Sequence, residues 1–312
     1  MCALVGMAGL WGLTQVAAQT TPPKRALPPQ WDQTVKSLFP EDAAKELVGS
    51  RPALGAGAAA VANIPATSGG NTPVALDPGA TDWTKIIDAA TLESEIKSYL
   101  TPTGEDVKTI SAFKSGGYKR SRISYSMLGL MFGIIAEYAG DVRFKKDALA
   151  ARELFGRVSM NLKVSTDQAF SESKNRAEDL AKILSGESLE TPPGIEPKAK
   201  WNEKVANRPP LMARLKLATE ERLNKFTSDA GTFGNSADQI QHEAQIVAAI
   251  SAAIIREGYA DADSEDYQGF ANAMRQAATE LSLAAKSKNY DAGRAALGII
   301  NKNCDACHGV YR

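Results

Sequence analysis

From Asp82 onward, apolar residues recur at alternating spacings of three and four, breakers fall between the periodic stretches, and no stretch sustains the alternation of a strand. The pattern predicts an all-α chain of packed antiparallel helices. In the C-terminal part, Ile240, Ala244, Val247, Ser251 and Ile254 share one helical seam, and Tyr267, Phe270, Met274, Ala277, Leu281 and Ala284 share the next. Tyr290, Gly293, Leu297, Ile300, Cys304 and Cys307 form the last seam. An earlier helix opens at Pro209-Pro210, a pair suited to a first turn, and carries Leu211, Met212, Leu215, Leu223 and Phe226. Four helices of roughly 16 to 23 residues with short connections predict an up-down-up-down bundle over 209–312.

The same theme runs through 82–190. Met127, Met131 and Ile134 share a face, Phe144, Ala148, Ala151, Phe155, Val158 and Leu162 form a seam, and Phe170, Ser173, Ala177, Leu180 and Leu184 form another. A shift of about 120 residues lays Phe170 on Tyr290, Leu180 on Ile300, Leu184 on Cys304, and Ile134-Ile135 on Ile254-Ile255, which suggests a duplicated bundle. Under that register the first copy has Leu184, Glu187 and Ser188 where the second has Cys304, Cys307 and His308. The expected architecture is therefore two four-helix bundles, joined by a Pro- and Gly-containing linker over 191–208.

Ahead of the helical region, residues 2 to 13 are apolar and small, and Val16, Ala17 and Ala18 suit a signal-peptidase site before Gln19. Residues 1–18 read as an export signal that removes Cys2 and implies a periplasmic or otherwise exported protein. Residues 19–81 read as a short amphipathic helix from Trp31 to Leu47, followed by an Ala/Gly/Pro-rich linker too poor in large apolar residues to offset chain entropy.

Charge narrows the partners. The 312 residues carry 36 Lys and Arg against 36 Asp and Glu, so there is no basic footprint for nucleic acid or an anionic membrane surface. Beyond the N-terminus no apolar run approaches the roughly 20 residues of a membrane span. The longest, Met127 to Ala136, has the length of a buried helix segment. The rare residues are more telling: of three cysteines and two histidines in the chain, three side chains fall within Cys304-Asp305-Ala306-Cys307-His308.

C-x-x-C-H is the pattern of covalent c-type haem attachment. Thiols three apart on a helix point to one side, about one turn apart, and can each add across a vinyl group of one porphyrin, with the adjacent histidine as proximal iron ligand. Other readings each lack a part. Structural zinc needs four ligands, and after signal removal only the remote His242 could join the three. A thioredoxin-like pair belongs at a helix N-terminus after a strand, whereas this one ends the last helix. A disulfide in a non-haem helical interaction protein leaves His308 without a role. No nucleophile–base pair, phosphate loop or second histidine near the motif suggests an enzyme.

A c-type motif at the C-terminal end of a four-helix bundle, running on as His308-Gly309-Val310-Tyr311-Arg312, resembles the class II cytochromes c, meaning cytochrome c-prime and its low-spin relatives. The resemblance covers roughly Arg208 to Arg312. It implies one covalent haem c, with Cys304 and Cys307 as thioether anchors, His308 as proximal ligand and Arg312, four residues on, near the haem. Redox proteins are then the implied partners, with a homodimer possible and electron transfer the expected role. The rival role is a five-coordinate haem that binds small gases. The iron's other face separates them. In the predicted bundle the first helix begins level with the end of the last, which makes Met212 the candidate sixth ligand and puts Leu211 and Leu215 beside it. His242 opens the second helix at the opposite end and reads as a solvated helix-start residue. Arg208, Arg214 and Arg312 are the candidates to pair with haem propionates.

Overall fold

The structure, a computed structural model, describes residues 81–198 and 200–311. The export segment with Cys2, the expected helix at 31–47, the linker at 49–79 and Arg312 lie outside the described residues. Among those described, every regular element is helical, as the spacing predicts.

The first half comprises α1 (Ala89–Ser98), α2 (Leu100–Asp106), α3 (Tyr118–Glu137), α4 (Ala148–Asn161) and α5 (Asp167–Ser185). Local chemistry sets their ends. The Asp88 carboxylate accepts from Thr91 N at 2.6 Å to start α1, and the Thr166 hydroxyl accepts from Ala169 N at 3.1 Å to start α5. Gly186, at φ +94°, closes α5 in a left-handed turn that a side chain would strain.

The second half opens with the single turn α6 (Trp201–Lys204). Then α7 (Arg208–Lys216), with proline in its first turn, continues through a π-helical stretch, Leu217–Leu223, and the turn Asn224–Phe226, so one rod covers 208–226. After the short α8 (Ala230–Asn235) come α9 (Ala237–Ala253), α10 (Glu265–Lys286) and α11 (Tyr290–Tyr311). Helix α10 packs on both α9 and α11, and the 208–226 rod touches α9 and α11, which gives the expected four-helix arrangement over the C-terminal third.

The two halves share one core. Helix α3 is buried on all sides from Ser124 to Ile135, and α9 from Glu243 to Ala253 is buried except at Gln245. A helix apolar all round has no solvent face to offer. Accordingly α7 packs on α3 and α1 packs on α9, and the described residues form one compact unit.

The 191–208 linker expectation is corrected in its second part. Trp201, Val205 and Ala206 are 4%, 0% and 0% exposed, and this stretch lies in a groove floored by glycines of the first half. A Cβ on Gly156 would sit 2.1 Å from Lys204 O, and one on Gly129 would sit 2.4 Å from Val205 O. Trp201 also stacks on Trp83 with ring centroids 5.5 Å apart. The proline-rich start signals a connection, but the apolar residues that follow it belong to the core.

Candidate functional site

The motif occupies the last two turns of α11. The helix starts where the Asn289 side chain accepts from Ala292 N at 3.1 Å. Its buried stripe is Gly293, Ala296, Leu297 and Ile300, and Gly293 lets it approach α8 so closely that a Cβ would lie 2.4 Å from the Phe233 ring. Continuing that stripe, Cys304 and Cys307 emerge half-buried, and His308 is exposed beside Cys307. Because α11 is unbroken through Tyr311, the thiols stand about one turn apart on one side, with the imidazole one turn beyond Cys304.

Neighbouring helices support this end of the bundle. The Cys304 thiol lies 3.5 Å from the Met274 thioether sulfur of α10. The Tyr311 ring meets Tyr267 edge-on at 5.2 Å, and its hydroxyl is 2.6 Å from Ser264 Oγ, the cap of α10. Arg208, in the first turn of α7, lays its guanidinium over Tyr267 at 5.6 Å and donates to Asp261 Oδ2 and to Ala260 O, each at 3.0 Å. The starts of α7 and α10 thus meet the end of α11, which is the level relation expected of this topology. Met212 follows one turn after Arg208, half-buried against the core.

Burial, with the Asp305 carboxylate and the Cys307 sulfur close by, pushes the Cys304 thiol up to about 11. Burial also raises Cys307, with Arg208 partly opposing it. Both sulfurs are free, and both are predominantly thiols at neutral pH. A thiol–disulfide exchange centre has the opposite bias, toward thiolate. Among the described residues no group of three or more His, Cys, Asp and Glu side chains converges to hold a metal ion. What the site does offer is two free thiols on one face of a helix and an accessible imidazole beside them. That donor set fits a haem held by two thioethers and one axial histidine.

Two expectations change. Arg214 is unavailable to a propionate, being 2% exposed and held between Glu95 and Glu243. Its Nε donates to Glu95 Oε1 at 2.9 Å and its Nη1 to Glu243 Oε2 at 2.7 Å. His242 is not simply solvated. It lies in the second turn of α9, 22% exposed, with Nε2 2.8 Å from Glu95 Oε2. It shares a depression of about 460 Å³ with Arg222 and Phe226, at the far end of the 208–226 rod from Arg208. Arg222 pairs with Glu243, and Tyr99 donates to Glu95 Oε1 at 2.6 Å, which completes a polar cluster remote from the motif in the chain. Burial alone would raise the Glu95 carboxyl, but Arg214, His242 and Tyr99 hold it well below the usual range.

Sequence reasoning placed Met274 on a seam but not under Cys304, and it missed the Tyr267, Ser264 and Tyr311 cluster. Such contacts depend on how α10 and α11 are staggered, which periodicity does not encode.

The family model described as Cytochrome C' matches residues 203–312, about a third of the chain. The match supports a c-type haem cytochrome domain there, of four-helix form and with covalently attached haem. No curated protein and no solved structure matches the chain.

Proposed function

We propose that the protein is an exported, monohaem electron carrier whose redox centre is held by α11. The observation that carries this reading is the motif's position. Two free, half-buried thiols and an exposed histidine occupy the end of the last helix, level with the start of α7. Haem bound there supplies one-electron chemistry at its iron. Cys304 and Cys307 would anchor it through thioethers, and His308 would supply a nitrogen ligand to its iron. Met274 backs Cys304, and the contacts of Tyr311 with Tyr267 and Ser264 fix the last turn, so the imidazole is carried on a supported helix rather than a frayed end. Met212 is the proposed sixth ligand. A methionine and a histidine together on the iron would raise its potential and suit electron transfer. In this reading the partners are redox proteins, and the chain catalyses no reaction of its own. Among the described residues no helix is long and apolar enough to cross a membrane.

Haem staining of the exported protein after denaturing electrophoresis tests attachment. The stain is expected to stay with the polypeptide, and its absence would reject the proposal. The ferrous spectrum then tests the sixth ligand. A low-spin spectrum unchanged by carbon monoxide is expected in the wild type, with a high-spin, carbon-monoxide-sensitive one in Met212→Leu. A high-spin wild type would remove Met212 and make the gas-binding role the better reading.

A further inference from the structure

The two halves repeat one another beyond their sequence periodicity. Shifted by about 120 residues, α1 and α2 fall on the 208–226 rod, α3 on α9, α4 inside α10, and α5 inside α11 except for its first three residues. The residues that open the first helix of each half, Asp88 and Asn207, have nearly the same backbone, at φ −85°, ψ 161° and φ −81°, ψ 151°. Thr109 and Asp229 cap equivalent turns. Side-chain contacts recur as well. Phe113 meets Phe170 edge-on at 5.5 Å, and Phe233 meets Tyr290 at 5.8 Å. The Tyr138 hydroxyl donates to Ile87 O at 3.1 Å, and the Tyr259 hydroxyl donates to Ala206 O at 2.7 Å.

A second set of contacts joins the halves, and there residues meet their own counterparts. Trp83 stacks on Trp201, Glu95 pairs with Arg214 119 positions away, and Glu137 pairs with Arg256, again 119 positions away. In a two-fold arrangement only residues on the axis touch their equivalents. The packing of α7 on α3 and of α1 on α9 is the reciprocal pair such an axis requires.

The geometry points to a pseudo-dimer within one chain, in which the first half is the built-in partner subunit of the half that bears the motif. Charge makes the match selective. Of the three axis positions in each half, the two charged ones are glutamates in the first half, Glu95 and Glu137, and arginines in the second, Arg214 and Arg256. If the second half paired with its own copy, Arg256 would face Arg256 in place of Glu137, its partner at 2.8 Å. Arg214 would face Arg214, relieved in part by Glu243 of its own half. If the first half paired with itself, Glu95 would face Glu95 with no Arg214 between them. Like charges on the axis therefore disfavour both homodimers, and opposite charges favour the internal pair. This assigns the first half a purpose without a cofactor. It keeps the interface but lacks the helical turns for a motif, because α5 ends at Gly186 where the equivalent α11 runs on. Past that point the chain folds back, with Leu189 N donating to Asp147 Oδ1 at 3.1 Å. The surface that could have served a homodimer is filled from within, so the intact chain is a monomer.

The test uses the full-length, haem-loaded protein with a protease site placed at Pro192–Gly194. Sedimentation should show a monomer before cutting. After cutting, native mass spectrometry should show a one-to-one complex of the two fragments, with haem on the C-terminal fragment alone. In the cut protein Arg256→Glu should weaken fragment association by roughly tenfold or more, and adding Glu137→Arg should recover most of that loss. Circular dichroism before cutting confirms that each variant is folded. Fragments that separate at micromolar concentration, a C-terminal fragment that pairs with itself, or a charge swap that recovers nothing in a folded protein would overturn the proposal.

Discussion

Replacing Arg214 by methionine removes a buried cation with little change in side-chain volume, and the structure sets the size of the effect. Arg214 donates four hydrogen bonds, two to Glu95 and two to Glu243, at 2.7 to 3.2 Å, and all three side chains are no more than 4% exposed. Breaking such a cluster from one side costs about 3–5 kcal/mol, chiefly because carboxylates stay buried without their countercharge. Here Glu243 keeps Arg222, and Glu95 keeps His242 and Tyr99, so the lower end applies. A loss of about 3 kcal/mol corresponds to a fall of roughly 6–12 °C in Tm for a unit of this size. The effect has a definite pH sign. In the wild type Glu95 is depressed, so its contribution is full above the unfolded value and is lost as pH falls through the folded one. In the variant, burial acts with less opposition and raises the Glu95 carboxyl, so the folded variant takes up a proton and gains relative stability as pH falls. The gap between the two proteins should therefore narrow between pH 7 and pH 4. Urea denaturation followed by far-ultraviolet circular dichroism at both pH values measures it. A loss under about 1 kcal/mol at pH 7, or a gap that does not change with pH, would refute the argument that Arg214 acts by neutralising buried carboxylates.

Gly156→Ala should cost at least about 2–3 kcal/mol, since its Cβ would meet the Lys204 carbonyl at 2.1 Å. Gly269→Ala, on an exposed face of α10 with nothing within 4 Å, should instead stabilise by about 0.5–1 kcal/mol, and thermal melts of the two variants check the contrast. Met274→Ala empties buried space beneath Cys304 and should lower stability by about 2–4 kcal/mol while leaving the haem attached, read by denaturation and haem staining together. Cys304→Ser with Cys307→Ser should abolish stain on the denatured polypeptide. His308→Ala should keep the stain and alter the ferrous spectrum, and an unchanged spectrum would remove His308 as ligand.

The helical character, the seams and the motif could be read from the chain because they rest on local rules. A 3.6-residue period marks which face is apolar, and the side chains of Cys304, Cys307 and His308 are neighbours on any helix. The 120-residue register was drawn from the same rules, by matching seam positions such as Phe170 and Tyr290. Tertiary structure decided what those faces pack against. Amphipathic stripes announce a core without saying whose, so α3 and α9 read as members of separate bundles although each is buried by both halves. Trp201, Val205 and Ala206 followed a proline-rich stretch and looked like spacer, until Gly129 and Gly156 supplied a groove only a folded first half can form. Arg214 read as a candidate propionate partner and His242 as a solvated residue, because charge normally stays at the surface or beside a cofactor. The structure placed them against Glu95, 119 and 147 positions away, where opposite charge repays burial. Sequence alone determined the elements and the attachment chemistry, while the pairing of the halves rests on contacts between residues too far apart in the chain for any local period to connect.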